Sequence, residues 1–133
     1  MLVYCDSMIL IYYLDLIGPF QVRAGNRLAT LQSAGDQIAF SDLTRLECRV
    51  TPIRLGDALT LSKFDAFFGL PDLRCVPLTR AVYDRATHIR AIYNFRTADA
   101  IHLAAAVEHG CDVFLTNDAR LIAYPDIVVE VLQ

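Results

Sequence analysis

The chain of 133 residues is long enough to bury one hydrophobic core and too short for two domains. Hydrophobic residues make up 55% of it and charged residues 20%, which excludes an intrinsically disordered chain. A net charge of −3 argues against a protein that holds nucleic acid through bulk positive charge. This net charge does not exclude contacts between individual arginines and phosphate groups. Lys63 is the one lysine among the twelve cationic residues, so the others are arginines, whose planar guanidinium group matches phosphate oxygens better than an ammonium group does.

The four cysteines are widely separated and contain no C-x-x-C pair, so we expect small buried hydrophobic residues rather than disulfides or a zinc site. No signal peptide precedes the first apolar segment, and no apolar run reaches membrane-spanning length. We therefore expect a cytoplasmic, reduced protein without a membrane partner. The cysteines are Cys5, Cys48, Cys75 and Cys111.

The first strand is predicted over residues 2–5, where four apolar residues are followed at once by Asp6 and Ser7. An uninterrupted apolar run of this length is typical of a strand buried on both faces of a parallel sheet. Ligands bind open α/β sheets beyond the carboxyl ends of their strands. Asp6 is therefore the first candidate site residue.

Two helices and a second strand are predicted next. Residues 8–16 are apolar all round, which fits a short buried helix with Asp6 or Ser7 as its N-cap. The apolar spacing over residues 20–34 predicts a second helix, and residues 37–40 form a short apolar run typical of a strand.

The middle of the chain predicts two further helices. Ser41 is the predicted N-cap of the first, which runs through Val50, and Pro52 should end or kink it, because the residue before a proline is pushed out of the α region. The second fits residues 57–68. Its three phenylalanines cannot all face one core, so we expect Phe67 to serve a partner or dimer surface more than folding.

The rest of the chain continues the alternation. Thr79 is the predicted N-cap of a helix whose apolar stripe ends at Tyr93, and Thr97 that of a helix over residues 98–109. Alternating strands and helices predict an α/β sandwich with a mainly parallel sheet. The remaining strands are predicted over residues 73–77, 113–115 and 127–131. The first of these contains a proline, which predicts a position at the edge of the sheet.

Four carboxylates stand out by their position in this pattern. Asp6 follows the first strand and Asp118 follows the fourth. Asp99 lies in the first turn of a helix, and Glu47 lies within a helix on the side opposite its neighbouring arginines. Each has an ordinary alternative as a helix cap, a first-turn charge, a turn residue or a solvated side chain.

The chemistry of such a cluster follows if the four side chains meet. Like charges in one crevice repel, and the cluster is then stable only with Mg²⁺ or Mn²⁺ between them. Both ions prefer oxygen ligands, and two such ions can clamp the attacking and leaving oxygens of a phosphodiester displacement. The pattern therefore predicts metal-dependent phosphoryl hydrolysis.

The histidines are also candidate metal ligands. His102 lies three residues after Asp99, so both share a helical face, and Asp-x-x-His is a spacing that can ligate zinc. Because the sequence has no second such pair, we expect His102 at the rim of the core or the site. His88 and His109 are expected at the surface.

Four segments of the chain resemble the acidic motifs of a PIN domain, and more narrowly those of the VapC-type toxins of bacterial toxin–antitoxin pairs. The match covers nearly the whole chain in order and spacing, and its two later motifs are the more specific. The segments are Leu2-Val3-Tyr4-Cys5-Asp6-Ser7, Leu43-Thr44-Arg45-Leu46-Glu47, Thr97-Ala98-Asp99-Ala100-Ile101-His102-Leu103-Ala104 and Phe114-Leu115-Thr116-Asn117-Asp118.

The resemblance implies one nuclease domain over residues 1–133, with a three-layer α/β/α fold and a five-stranded parallel sheet. It implies an endoribonuclease that depends on Mg²⁺ or Mn²⁺ and cuts a transfer RNA or a ribosomal RNA loop, leaving a 5′-phosphate and a 3′-hydroxyl. The catalytic and metal-binding residues would be Asp6, Glu47, Asp99 and Asp118, supported by Ser7, Thr116 and Asn117.

The same resemblance implies partners. A VapB-like antitoxin would block the site and tie the toxin to operator DNA, and the toxin would be a homodimer. Four arginines near the motifs are candidates for RNA contact, with solvated surface charges as the ordinary alternative for each. They are Arg45, Arg49, Arg54 and Arg96.

Other classes of protein compete with this interpretation. An aspartyl-nucleophile phosphatase needs a second aspartate two residues after the first, where Met8 stands. A phospho-accepting receiver domain needs a lysine near the last strand, whereas Lys63 lies on a helix far away in sequence. A dinucleotide-binding domain is excluded because G-x-G-x-x-G is absent from the sequence. A catalytically silent PIN-like binding module stays open.

Overall fold

The computed structural model describes residues 1–15 and 18–133. Over these residues the chain forms an α/β/α sandwich around a five-stranded sheet with the order β3-β2-β1-β4-β5. Every neighbouring pair of strands is parallel, as the sequence predicted. The strands are β1 (Leu2–Cys5), β2 (Gln37–Phe40), β3 (Arg74–Cys75), β4 (Val113–Thr116) and β5 (Val128–Val131).

Helices connect the strands and cover both faces of the sheet. Part of the predicted first helix, Leu16, lies outside the described residues. None of the helices in the described ranges is both long and apolar enough to cross a membrane. The helices are α1 (Ser7–Leu14), α2 (Pro19–Ser33), α3 (Asp42–Leu55), α4 (Ala58–Phe68), α5 (Arg80–Tyr93) and α6 (Thr97–Glu108), followed by a 3-10 helix (Ala119–Ala123).

The central strand β1 separates two hydrophobic cores, because successive side chains of a strand point to opposite faces. Val3 and Cys5 pack into the core beneath α1 to α4. Tyr4 packs into the core beneath α5 and α6, where its ring stacks on Phe114 with 5.5 Å between centroids. The strand is therefore buried on both faces, as its apolar run predicted.

The edge position predicted for β3 is confirmed, and it explains one cysteine. Cys5, Cys48 and Cys111 are buried free thiols, but Cys75 is exposed, contrary to the expectation of burial. The reason is that β3 has only two residues, both exposed at the edge of the sheet.

Of the prediction that Pro52 ends or kinks α3, the first part is wrong, because the helix does not end there. The helix continues to Leu55 and ends at Gly56, whose φ of 67° is left-handed. Pro52 lies on the buried face of α3, one turn after Cys48 and two turns after Thr44. Packing of this face therefore stabilises the last turn of the helix, although proline lacks the N–H that would donate a helical hydrogen bond.

Two further local predictions need correction. Thr97 is the first residue of α6 rather than its N-cap, a position that Arg96 takes. Phe67 is buried rather than exposed, because α1 and α4 pack together and its ring meets the ring of Tyr13 edge-on, with 6.3 Å between centroids. Its replacement by alanine is therefore expected to destabilise the fold.

The order of the strands places the carboxyl ends of β1 and β4 side by side. These two strands are neighbours, and the backbone N–H of Asp6 donates to the carbonyl of Leu115 at 2.9 Å. The chain runs outward from this pair in both directions, since β2 lies beyond β1 and β5 beyond β4. This is the switch point at which open α/β sheets bind ligands.

Candidate functional site

A cavity of about 500 Å³ lies beyond the carboxyl ends of β1 and β4. The four carboxylates singled out in the sequence all line it, although they come from four separate segments. Two supporting residues and two arginines line it with them. The polar lining comprises Asp6, Ser7, Glu47, Arg96, Asp99, Asn117, Asp118 and Arg120.

Asp6 is buried at the start of α1, with 7% of its surface exposed. Its Oδ1 accepts a hydrogen bond from the N–H of Ser7 at 2.8 Å, and its Oδ2 accepts from the hydroxyl of Thr116 at 2.7 Å. Burial raises the pKa of Asp6, and the charge of His102 with these two neutral donors offsets only part of that rise. Asp6 is thus both the N-cap of α1 and a buried acid in the cavity.

Thr116 at the end of β4 connects two of the carboxylates. Besides donating to Asp6, its Oγ1 accepts a hydrogen bond from the backbone N–H of Asp118 at 3.1 Å. The next residue, Asn117, lines the cavity and donates its side-chain amide to the hydroxyl of Tyr12 at 3.0 Å. Thr116, the last residue of β4, and Asn117, the next residue, therefore both lie at the site, as predicted for supporting residues.

Glu47 extends from α3 toward α6 and is not a freely solvated side chain. Its Oε1 accepts from the hydroxyl of Ser7 at 2.8 Å and lies 2.5 Å from Nε2 of His102. Partial burial by itself raises the pKa of Glu47, but the hydrogen bonds from His102 and Ser7 outweigh that effect and hold it below its ordinary value.

A buried chain of polar groups that sequence reasoning missed lies behind Glu47. His102 is 1% exposed, and its Nδ1 lies 2.7 Å from the hydroxyl of Tyr4, which is 2.8 Å from Oγ of Ser41. Burial raises the pKa of the Tyr4 hydroxyl, so it stays protonated and can donate. The available signal was a tyrosine inside an otherwise apolar strand.

His102 is therefore deeper than the rim position expected from the sequence. It does not share a ligand site with Asp99 in the described structure, since its two ring nitrogens contact Glu47 and Tyr4. His88 is exposed and His109 half-buried, with Nε2 of His109 within 2.7 Å of the Pro77 carbonyl.

The other two carboxylates pair with arginines. Asp99, buried in the first turn of α6, accepts from Nε of Arg96 at 3.0 Å. Asp118 accepts from Nη2 of Arg120 at 2.6 Å and from its Nε at 3.0 Å. Arg120 holds the pKa of Asp118 below its ordinary value, against a smaller effect of desolvation. Arg120 was missed because a single Asp-x-Arg spacing is unremarkable in sequence.

Of the four arginines proposed for RNA contact, the structure places only Arg96 in the carboxylate cavity. Arg45, Arg49 and Arg54 line a separate depression on α3. Arg45 and Arg49 project from the side of the helix opposite Glu47, and Arg54 lies two turns beyond Glu47, near the end of the helix. Arg49 is also paired with Asp65 at 2.9 Å. Proximity in sequence to Glu47 was thus a poor guide to proximity in space.

The donor set fits a hard divalent cation by its chemistry. Four carboxyl groups face one cavity, and the two groups that donate hydrogen bonds to the buried Asp6 are neutral. Within the described residues, no three His, Cys, Asp or Glu side chains converge closely enough to hold one ion together. Asp99 and Asp118 are instead paired with Arg96 and Arg120, whose side chains are largely exposed.

The fold and the cavity together define a class: α/β/α domains that gather acidic side chains beyond adjacent parallel strands. The particular family follows from its sequence model, since that of the PIN domain matches residues 3–127. The chain belongs to the PIN domain family. The three-layer fold expected from the resemblance is thereby confirmed.

Solved structures of toxin–antitoxin complexes share this fold. VapBC2 from Rickettsia felis bound to a promoter DNA fragment matches with a TM-score of 0.78 and 15% identity over 100% of both chains. A toxin–antitoxin complex from Klebsiella pneumoniae matches with a TM-score of 0.71 and 20% identity over 95% of both chains. DNA-bound VapBC from Salmonella typhimurium matches with a TM-score of 0.71 and 17% identity over 100% of both chains. No curated protein sequence matches the chain.

Proposed function

We propose that this chain is a VapC-type toxin, an endoribonuclease that depends on Mg²⁺ or Mn²⁺. The single observation that carries the proposal is the convergence of four carboxylates, from four separate segments, on one cavity at the switch point of a PIN domain. A domain that only binds a partner does not require a buried carboxyl group such as that of Asp6 in this cavity. Burial of a carboxylate is unfavourable unless it is paired, and carboxyl groups perturbed by burial cluster at functional sites.

The cation would be held by the four carboxylates. When bound, it would supply electrophilic activation of the phosphodiester and of the attacking water. The protein's own groups position these carboxylates: Ser7 and Thr116 orient Asp6, and Ser7 and His102 orient Glu47 through Oε1. The carboxylates are Asp6, Glu47, Asp99 and Asp118.

RNA is the substrate that this proposal assigns, with a transfer RNA or a ribosomal RNA loop as the target. Hydrolysis would leave a 5′-phosphate and a 3′-hydroxyl. The net charge of −3 requires local cations for RNA contact, and Arg96 and Arg120 line the cavity. The receiver-like alternative needs a lysine there, but Lys63 lies on α4.

The proposed partner is a VapB-like antitoxin that covers the site and brings the toxin to operator DNA. The support is that the structures sharing this fold are toxin–antitoxin complexes, two of them bound to DNA. We also propose a homodimer, as the resemblance implies, located in the cytoplasm, as expected from the sequence.

Cleavage of a total-RNA pool tests the proposed activity. The purified chain is incubated with Mg²⁺ or Mn²⁺, and in parallel with excess chelator, beside Asp99→Asn and the matched control Asp84→Asn. Both aspartates lie on helices, but Asp84 is exposed on α5, outside the cavity lining. We expect metal-dependent cleavage by the wild type and by Asp84→Asn, and none by Asp99→Asn.

Two results would contradict the proposal. Equal cleavage by Asp99→Asn and the wild type would assign the nuclease to a contaminant. Intact RNA in every reaction, from a folded wild type that also fails to bind Mn²⁺ in a calorimetric titration, would favour the catalytically silent binding module.

A further inference from the structure

Arg96 and Arg120 occupy the carboxylates that a divalent cation would need. Arg96 lies three residues before Asp99, and Arg120 lies two residues after Asp118, so each guanidinium folds back onto a nearby acid. Their side chains are 73% and 67% exposed, against 6% and 20% for those of the two aspartates. The arginines therefore reach inward from solvent to acids that belong to the cavity.

These ion pairs are weak enough to exchange. An ion pair with a largely exposed arginine is weakened, because water and salt screen the charge of the guanidinium. A divalent cation carries twice the charge of a guanidinium and binds carboxylates at shorter range. Such a cation can thus displace the arginines from Asp99 and Asp118, whereas Asp6 accepts from donors that need not move.

The displaced groups are suited to phosphate. A guanidinium offers a planar fork of N–H donors that matches phosphate oxygens as it matches a carboxylate. Both arginines line the cavity in which the RNA backbone has to approach the carboxylates. In a chain of net negative charge, cations located at the reaction site are the ones that can offset backbone repulsion.

We propose that Arg96 and Arg120 are exchangeable counterions, which neutralise Asp99 and Asp118 without metal and bind RNA phosphates once a divalent cation takes these carboxylates. This inference rests on the proposed function and adds the residues that couple metal loading to substrate binding. It assigns the same two side chains opposite effects on two ligands. Their removal strengthens metal binding and weakens RNA binding.

Binding measurements on Arg96→Gln and Arg120→Gln test this coupling. Arg80→Gln removes the same charge from an exposed position on α5, outside the cavity, and serves as the matched control. Mn²⁺ affinity is measured by isothermal titration calorimetry without RNA. RNA affinity is measured by fluorescence anisotropy of a labelled RNA hairpin in Ca²⁺, chosen as a poorly catalytic substitute ion, over a series of salt concentrations, with hairpin integrity checked on a gel.

We expect each cavity variant to bind Mn²⁺ roughly two- to fivefold more tightly than the wild type, since an exposed ion pair no longer competes. We expect its RNA affinity to fall and the slope of log Kd against log salt to decrease by about 0.7–1, the loss of one phosphate contact. Arg80→Gln should match the wild type in Mn²⁺ affinity and in salt slope.

Unchanged or weaker Mn²⁺ binding by both cavity variants would overturn the inference. RNA affinities and salt slopes equal to those of Arg80→Gln would also overturn the inference. Such a result would indicate that the two arginines bind carboxylates of a protein partner instead of RNA phosphates. If the wild type binds Mn²⁺ and cuts RNA, the proposed function stands even when either of these results overturns the inference about the arginines. A folded wild type that binds neither Mn²⁺ nor Mg²⁺ and leaves RNA intact overturns both.

Discussion

The cavity holds its four carboxylates in two different ways. Asp6 and Glu47, the core-held pair, accept hydrogen bonds from groups fixed inside the protein. Asp99 and Asp118, the arginine-held pair, contact guanidinium groups that reach in from solvent. The same chemical group is thus positioned by packing on one side of the cavity and by screened charge on the other.

The difference separates what is preorganised from what can rearrange. His102 behind Glu47 is itself fixed by Tyr4, so a change of orientation at Glu47 has to disturb the core. The arginine-held pair needs only the motion of two exposed side chains, which takes place in picoseconds to nanoseconds. We infer that the core-held pair sets the geometry of the site and that the other pair adapts to its ligands.

The largest effect is expected from Asp6→Asn, which removes one of the two carboxylates of the core-held pair. RNA cleavage should fall by about 100-fold or more, since a metal-binding carboxylate is lost. Stability without metal should rise by on the order of 1 kcal/mol, because asparagine preserves the shape without the burial cost of a charge. Urea denaturation in chelator measures it, with Asp84→Asn as control.

The pH dependence of this effect has a definite sign. Because the pKa of Asp6 is raised in the folded protein, ionisation of Asp6 opposes folding. Its contribution to stability is favourable only while it is protonated, and stability falls as the pH rises through its titration. Asp6→Asn should remove that fall, and a variant less stable than the wild type at pH 7 would contradict this account.

Tyr4→Phe tests whether buried packing fixes the core-held pair. Phenylalanine keeps the ring stacked on Phe114 but removes the hydroxyl between His102 and Ser41. The free energy of unfolding should fall by about 1–2 kcal/mol, since a buried imidazole nitrogen loses its partner. Urea denaturation measures this loss, and Tyr83→Phe, at an exposed tyrosine, should leave stability unchanged.

Thr116→Val breaks the connection between the two pairs. Valine keeps the shape of the side chain but removes the hydroxyl that donates to Asp6 and accepts from the N–H of Asp118. We expect the free energy of unfolding to fall by about 1 kcal/mol in urea denaturation. A variant as stable as the wild type would show that this hydroxyl makes no measurable contribution to the fold.

The smallest effect is expected from the arginine-held pair. Arg120 lowers the pKa of Asp118, so this pairing stabilises the folded state above the ordinary pKa of 3.8 and is lost as the pH falls through the lower value of the folded protein. Asp118→Asn should flatten stability between about pH 5 and pH 2, by less than about 1 kcal/mol. High salt should reduce the difference from the wild type, and a difference that persists there would indicate a buried interaction.

Most of the architecture could be predicted because its signals are local. An apolar run of four residues marks β1, and side chains such as Thr79 mark the start of a helix by accepting from its first N–H groups. Where tertiary packing competes with a local signal, prediction failed. Pro52 remains helical because its face of α3 is buried, and Phe67 is buried because α1 covers it.

The sequence by itself determined the order of strands and helices, and its four acidic segments marked where carboxylates follow strands or begin helices. Only the tertiary structure decided what each carboxylate contacts. In the buried chain of polar groups, His102 is 55 positions from Glu47 and 98 positions from Tyr4 in sequence. Contacts between such distant residues depend on how their helices and strands pack. Arg120 is close to Asp118 in sequence, yet its role depends on a cavity that β1, α3 and α6 complete.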